Sequence, residues 1–126
     1  MALSIGEVAQ LTGLSIYTLR YYDELGLLPQ VTRAENGRRV FGDEVVGWID
    51  IIKCLRATQM PLSNMQRFTE LAHQNIDTIT QQREMLEAHR REIAQRMIEV
   101  EAAIALIDHK IEYMREAEAE RAQAES

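Results

Sequence analysis

The hydrophobic pattern of the first residues predicts two short helices joined by a glycine-containing turn. Apolar positions recur at helical spacing over residues 4–11, and Ser4 followed by Glu7 has the spacing of a capping box. Gly13 can adopt the left-handed conformation that ends a helix. A second helix is predicted over residues 15–25, with Ser15 as its N-cap. This arrangement is typical of a helix-turn-helix.

A β-hairpin is predicted directly after these helices. Two short β-prone runs, VTR and RRVF, flank the segment AENG, and Asn36-Gly37 is a strong hairpin signal because both residues tolerate positive φ. An isolated hairpin is marginally stable, so we expect it to pack on the helices. The hairpin carries three arginines and three apolar residues, which are Arg33, Arg38 and Arg39, and Val31, Val40 and Phe41.

Two further helices follow the hairpin at the same apolar spacing. The third is predicted over residues 44–58 with Asp43 as its N-cap, and the fourth over residues 62–74 with Pro61 at its start. Their inward residues are predicted to be Val45, Trp48, Ile49, Ile52 and Leu55, then Leu62, Met65, Phe68, Leu71 and Ala72.

The C-terminal part has the pattern of one long dimerisation helix. Residues 76–120 contain neither proline nor glycine, and an apolar residue recurs there every four and three positions in turn. Such a seam needs a partner helix, and a second copy of the chain is the simplest one. We therefore divide the chain into a domain at 1–75, a dimerisation helix at 76–120 and a frayed tail at 121–126. The seam comprises Ile93, Met97, Val100, Ile104, Ile107, Ile111 and Met114.

Charge is distributed unevenly along the 126 residues, whose net charge is −6. Residues 1–75 hold seven Lys/Arg and eight Asp/Glu, while residues 76–126 hold seven and twelve. The first part is thus near neutral with a local arginine cluster, which is compatible with phosphate binding. The single cysteine excludes an intrachain disulfide and fits a reducing cytoplasm. We expect no membrane span and no secretory signal.

The segments IGEVAQLTGLSIYTLRYYDELGLLP and ENGRRVF resemble the N-terminal domain of MerR-type transcription regulators. The resemblance extends over the whole chain and implies a mainly α fold: a winged helix-turn-helix, a helix pair and a long antiparallel coiled-coil helix. It implies that the second helix enters the major groove of DNA, where hydroxyl and guanidinium groups meet base edges and phosphates. The implied DNA contacts are Ser15, Tyr17, Thr18, Arg20 and Tyr21, with Arg33, Asn36, Arg38 and Arg39 from the wing.

The resemblance also implies a mechanism and a set of partners. MerR-type homodimers bind double-stranded promoter DNA and distort it, so that RNA polymerase can engage both promoter elements. The partners implied are therefore DNA, a second copy and, through the promoter, RNA polymerase. Packing in the core is the alternative for Tyr17, Tyr21 and Tyr22, most of all for Tyr22.

The segment around Cys54 is similar to a MerR subgroup, the AdhR or NmlR-like regulators that respond to aldehydes and thiol stress. In that subgroup the cysteine within KCLR is thought to sense electrophiles, and Lys53 and Arg56 could stabilise its thiolate. Gln59 and Pro61 depart from the glycine and serine that the subgroup often has there. The alternative is a regulator with a non-thiol inducer, in which Cys54 is a buried core residue.

Other functions have little support in the sequence. There is no nucleophile with a base at suggestive spacing and no phosphate-binding glycine loop, so we predict that the chain is not an enzyme. No cofactor is predicted. Cys54 is alone, and no histidine has a partner histidine four residues away, so no metal site is predicted either.

Overall fold

The computed structural model describes residues 2–126 and confirms the mainly helical fold. Within that range five helices and one two-stranded antiparallel hairpin occur in the predicted order. The chain divides into two units, the first ending at Leu86 and the second beginning at Glu87, downstream of the boundary predicted at residue 75. The elements are α1 (Ile5–Thr12), α2 (Ile16–Glu24), β1 (Val31–Arg33), β2 (Arg39–Phe41), α3 (Val45–Ala57), α4 (Leu62–Ala72) and α5 (Ile79–Glu125).

The predicted caps of the first two helices are confirmed. The Ser4 N–H donates to Oε1 of Glu7 at 2.9 Å, and the Glu7 N–H donates to Oγ of Ser4 at 3.2 Å. Hydrogen bonding to the Glu7 carboxyl, first from the Ser4 backbone N–H and then from the Ser4 side chain, holds the pKa of that carboxyl below its usual value. Gly13 follows α1 in the left-handed conformation, and the Ser15 hydroxyl caps α2 by accepting from the Thr18 N–H.

A Schellman motif ends α2 and starts the segment that leads to the wing. The Leu27 N–H donates to the Tyr22 carbonyl at 3.1 Å, and the Gly26 N–H donates to the Asp23 carbonyl at 3.0 Å. Gly26 supplies the positive φ, 77°, that the motif requires. Tyr22 and Leu27 are both buried, as the hydrophobic pair of such a motif usually is.

The wing is a tight antiparallel hairpin in which Val31 pairs with Phe41 and Arg33 with Arg39. The Ala34 N–H donates to the Arg38 carbonyl, and the Gly37 N–H donates to the Ala34 carbonyl. Of the Asn36-Gly37 pair only Gly37 has a positive φ, 82°. The hairpin turn therefore ends in a left-handed glycine, and Asn36 does not use the positive φ that we had expected it to tolerate.

One core lies beneath the helices and the wing of the first unit. Phe41 is fully buried and Val31 packs against the core, as predicted. Val40 is only half-buried, because side chains alternate along a strand and its neighbour Phe41 takes the inner face. The buried apolar residues of this core are Val8, Leu19, Tyr22, Leu27, Leu28, Phe41, Val45, Ile49, Ile52, Leu55, Met60, Met65 and Phe68.

The ends of α3 differ from the prediction in two ways. Its N-cap is Glu44, which makes no side-chain capping bond, so the assignment of Asp43 as N-cap is wrong. At its other end the Met60 N–H donates to the Leu55 carbonyl at 2.9 Å, which is again a Schellman bond. Gln59 occupies the left-handed position with φ 67°, where glycine has no steric penalty. The departure from glycine at this position therefore leaves the turn intact but strained.

Helix α5 is longer than predicted at its C-terminal end and begins three residues later. The Asp77 carboxylate accepts from the Ile79 N–H at 3.0 Å and marks its start. The helix continues to Glu125, whereas we expected residues 121–126 to fray. In the second unit the seam residues from Met97 to Met114 are exposed. Across the described residues, no helix is long and apolar enough to cross a membrane.

Candidate nucleic-acid interface

Helix α2 presents one polar face to solvent and buries the other. Tyr17 is 79% exposed, and Arg20 and Tyr21 are also exposed. Leu19 and Tyr22 lie three residues apart on the inner face, where Tyr22 is only 3% exposed. Tyr22 belongs to the core, whereas Tyr17 and Tyr21 are accessible to a ligand.

The wing and α2 enclose a shallow groove that is rich in arginine. Its lining brings Arg20 of α2 together with wing residues that are far from it in sequence, and it contains no carboxylate side chain. A surface of this kind attracts the phosphates of nucleic acid. The lining residues are Ser4, Ile5, Arg20, Arg33, Asn36, Gly37, Arg38 and Arg39.

The three wing arginines have different surroundings. Arg38 is exposed, and Arg33 is exposed while its Nη1 donates to the Gly37 carbonyl at 2.8 Å. The side chain of Arg39 is only 14% exposed, and its Nε lies 2.8 Å from Oδ2 of Asp23. Its charge is already balanced within the fold, so this geometry gives no support to Arg39 as a DNA contact. Instead Arg39 joins the wing to α2.

Three further residues predicted to contact DNA, which are Ser15, Thr18 and Asn36, make hydrogen bonds within the protein. The Ser15 hydroxyl accepts from the Thr18 N–H at 3.1 Å and donates to the Thr18 hydroxyl at 3.0 Å. Ser15 therefore shapes the start of α2, and Thr18 is half-buried. Asn36 accepts from the Arg38 N–H at 3.1 Å, which stabilises the turn that carries Arg38.

Arg56 of α3 is a residue whose role at this face the sequence did not reveal. Its guanidinium carbon lies 6.0 Å from the ring centroid of Tyr21 and 5.7 Å from that of Tyr22. Cation–π contacts of this length hold both rings and thereby orient the exposed Tyr21. No local pattern connects residues so far apart in sequence, so this pairing could only be found in the folded chain.

Cys54 lies on the exposed side of α3. The alternative of a buried core cysteine is therefore wrong for the isolated chain. Nζ of Lys53 donates to the Thr12 carbonyl at 3.0 Å, and Arg56 lies over the tyrosine rings. Both cations thus have partners other than the thiol. In residues 2–126 no three His, Cys, Asp or Glu side chains are grouped so that they could hold a metal ion.

Comparisons with known proteins agree with this arrangement. The model of the MerR family regulatory protein matches residues 4–41, which span α1, α2 and the wing. An uncharacterised HTH-type transcriptional regulator of Haemophilus influenzae is 33% identical over 94% of this chain and 88% of its own length. The HTH-type transcriptional regulator AdhR of Bacillus subtilis is 34% identical over 77% of this chain and 66% of its own length.

Solved structures give the same result. The crystal structure of HiNmlR, described as a MerR family regulator lacking the sensor domain and bound to promoter DNA, superimposes with a TM-score of 0.80. It is 33% identical, and 94% of each chain is covered. A MerR family regulator from Bacillus thuringiensis superimposes with a TM-score of 0.75 at 31% identity, covering 88% of this chain and 97% of its own.

All of these relatives are transcriptional regulators, which is a non-enzymatic class. The winged helix-turn-helix, the arginine groove and the identity along nearly the whole chain lead to one assignment. The chain belongs to the MerR family of DNA-binding transcriptional regulators.

Proposed function

We propose that this regulator acts as a homodimer joined through α5 and that it distorts the promoter DNA it binds. The seam on α5 supports a dimer, because its seven apolar residues follow the heptad spacing of a coiled coil and those from Met97 onward are exposed in the single chain. An antiparallel pair would separate two recognition helices by a fixed distance, as two half-sites on DNA require. Such a protein would act on promoter DNA in the cytoplasm.

The observation that carries the DNA-binding geometry is the groove between α2 and the wing. Arg20 of α2 lines this groove together with Arg33 and Arg38 of the wing, and Tyr17 is exposed on the same helix. We propose that α2 reads base edges in the major groove and that the wing arginines neutralise the flanking phosphates. The structure of HiNmlR, which is similar over 94% of this chain and is bound to promoter DNA, supports a DNA-binding role for this fold.

We expect binding to weaken steeply with salt, and Arg38→Gln to make that dependence shallower. Each phosphate contact adds about −0.9 to the slope of log K against log salt, so a dimer that loses two contacts should lose about two units of slope. The measurement is a salt titration by fluorescence anisotropy, using a duplex selected from random DNA by the wild-type protein. Arg115→Gln, on α5, is the matched control. An unchanged slope for Arg38→Gln would remove this residue from the phosphate contacts.

We further propose that Cys54 receives the signal by reacting with a small aldehyde or another electrophile. An exposed thiol can add to a carbonyl carbon: the new S–C bond forms, and the thiol proton ends on the former carbonyl oxygen. The adduct would add bulk and a hydroxyl to the outer face of α3. The exposure of Cys54 and the similarity to AdhR support this proposal.

Cys54→Ser should therefore leave DNA binding nearly unchanged, within about twofold, since an exposed substitution of similar size disturbs the fold little. It should abolish the response of transcription in vitro to formaldehyde. Mass spectrometry of the intact protein should show a formaldehyde adduct on wild type that Cys54→Ser lacks. A serine variant that still responds would point to an inducer that acts without the thiol.

A further inference from the structure

Residues 25–30, which connect α2 to the wing, are bound by three side chains from the third and fourth helices. Nε2 of Gln66 donates to the Leu25 carbonyl at 2.8 Å. Nε1 of Trp48 donates to the Leu27 carbonyl at 2.7 Å. At the end of α4, Nε2 of His73 lies 2.9 Å from Nε2 of Gln30. These three donors or acceptors come from residues between 21 and 43 positions away in the sequence.

Two of these bonds fall on the C-terminal end of the recognition helix. The last carbonyls of a helix have no partner within it, so they need donors from elsewhere. Leu25 is the C-cap of α2, and Leu27 is the residue that closes its Schellman motif. Gln66 and Trp48 therefore determine where α2 ends relative to the helix pair.

The third contact reaches the base of the wing. The Gln30 carbonyl accepts from the Gly42 N–H at 2.9 Å, which closes the hairpin, while its side-chain amide contacts His73. An amide nitrogen can only donate, so Nε2 of His73 accepts and its Nδ1–H donates to the Thr69 carbonyl at 3.0 Å. Gln30 thus links the hairpin directly to the end of α4.

Aromatic packing holds the donors in position. The Trp48 ring is stacked on Phe68 with centroids 5.7 Å apart, and the His73 ring meets its edge at 4.7 Å. Trp48, Phe68 and His73 therefore form one packed cluster on α3 and α4. A displacement of these helices would pull on residues 25–30 through all three contacts.

We propose that Trp48, Gln66 and His73 form a polar clamp through which α3 and α4 set the placement of α2 and the wing on DNA. The proposal rests on the promoter distortion proposed above, because it assigns these residues to controlling its extent. They are positioning residues: they act through residues 25–30 and lie outside the arginine groove. Weakening the clamp should change the shape of bound DNA more than the strength of binding.

The test uses Trp48→Phe and Gln66→Met, singly and together, in the full chain. Phenylalanine keeps an aromatic ring against Phe68 and methionine keeps the side-chain length, while each removes one N–H donor. Gln81→Met, at an exposed position on α5, is the matched control. The probe is the duplex selected by the wild-type protein, labelled at its two ends for energy transfer. Affinity is measured by anisotropy and thermal stability by circular dichroism.

A second control separates stability from positioning. Leu71 is buried on α4 and its side chain has no hydrogen-bonding atom, so Leu71→Ala should lower the melting temperature by opening a cavity. We expect it to leave the energy transfer of the saturated complex unchanged. The clamp variants should reduce the wild-type change in transfer by about half. Their affinity should fall by about tenfold or less, because the lost hydrogen bonds lie within the protein and exist in both the free and the bound state.

If the clamp variants show the same energy transfer as wild type at saturation, the proposed role of the clamp is wrong. The same holds if Leu71→Ala reduces the transfer as much as the clamp variants do, because loss of stability would then explain the effect. If wild type binds the duplex without changing the transfer, promoter distortion itself fails, and that outcome is distinct from both. Should the double variant not fold, Gln66→Met alone decides.

Discussion

Arg20→Ala is expected to abolish specific DNA binding while leaving the fold intact. Arg20 is exposed on α2 and lines the groove that it shares with the wing, and in the proposed complex its guanidinium contacts base edges in the major groove. A bidentate arginine–base contact contributes about 1–3 kcal/mol, and a dimer loses two of them. The affinity for the selected duplex should therefore fall by about a hundredfold or more, toward the level for unrelated DNA.

The comparison of specific and unrelated duplexes makes this prediction decisive. Arg115→Ala, on α5, removes the same charge from another exposed position and should retain at least most of the specific affinity. Circular dichroism should show equal helix content and melting temperature for both variants. If Arg20→Ala still prefers the selected duplex over unrelated DNA, Arg20 does not read the sequence.

Ile104→Asp is expected to convert the proposed dimer into monomers. Ile104 lies in the middle of the seam and is 52% exposed in the single chain, so a partner helix could bury it further. Because only about half of each isoleucine remains to be buried, removing both costs about 1.5–3 kcal/mol of association energy, to which the desolvation of two carboxylates is added. Sedimentation velocity at micromolar concentration should then show one species of monomer mass.

Leu106→Asp is the matched control, because it places the same charge on the same helix outside the heptad seam. Leu106 is 71% exposed, and its side chain lies off the line of residues from Ile93 to Met114. This variant should remain dimeric. If both variants dissociate, the interface is not the seam that we assign, and if neither does, α5 does not hold the dimer.

Features that depend on neighbouring residues could be predicted from the sequence. The capping box of Ser4 and Glu7, the left-handed Gly13 and the cap at Ser15 are set within one helical turn, and the structure confirms all three. The order of the elements follows from the apolar spacing. The prediction of Asp43 as the N-cap of α3 was wrong, because it rested only on an acidic residue preceding an apolar run. The N-cap is Glu44, which makes no side-chain capping bond.

Features that depend on distant residues could not be predicted. We expected Arg39 to contact DNA as Arg38 does, yet Arg39 pairs with Asp23, which lies 16 positions away, and its side chain is largely buried. The same holds for Arg56 over two tyrosine rings and for Lys53 at the Thr12 carbonyl. In each case the side chain has several possible partners, and only the packing of elements that are distant in the sequence selects one.

The ion pair between Arg39 and Asp23 has a consequence for changing the DNA target of this protein. Because Arg39 also lies 3.8 Å from Glu24, two acidic residues of α2 fix the wing that stands beside it. Grafting a recognition helix from a relative without these acidic residues would strand a half-buried guanidinium, which is a costly state. To change the DNA sequence that the protein recognises, residues 15–24 and Arg39 should therefore be exchanged together. Single substitutions at Tyr17 or Arg20 leave the contacts of Arg39 with Asp23 and Glu24 intact.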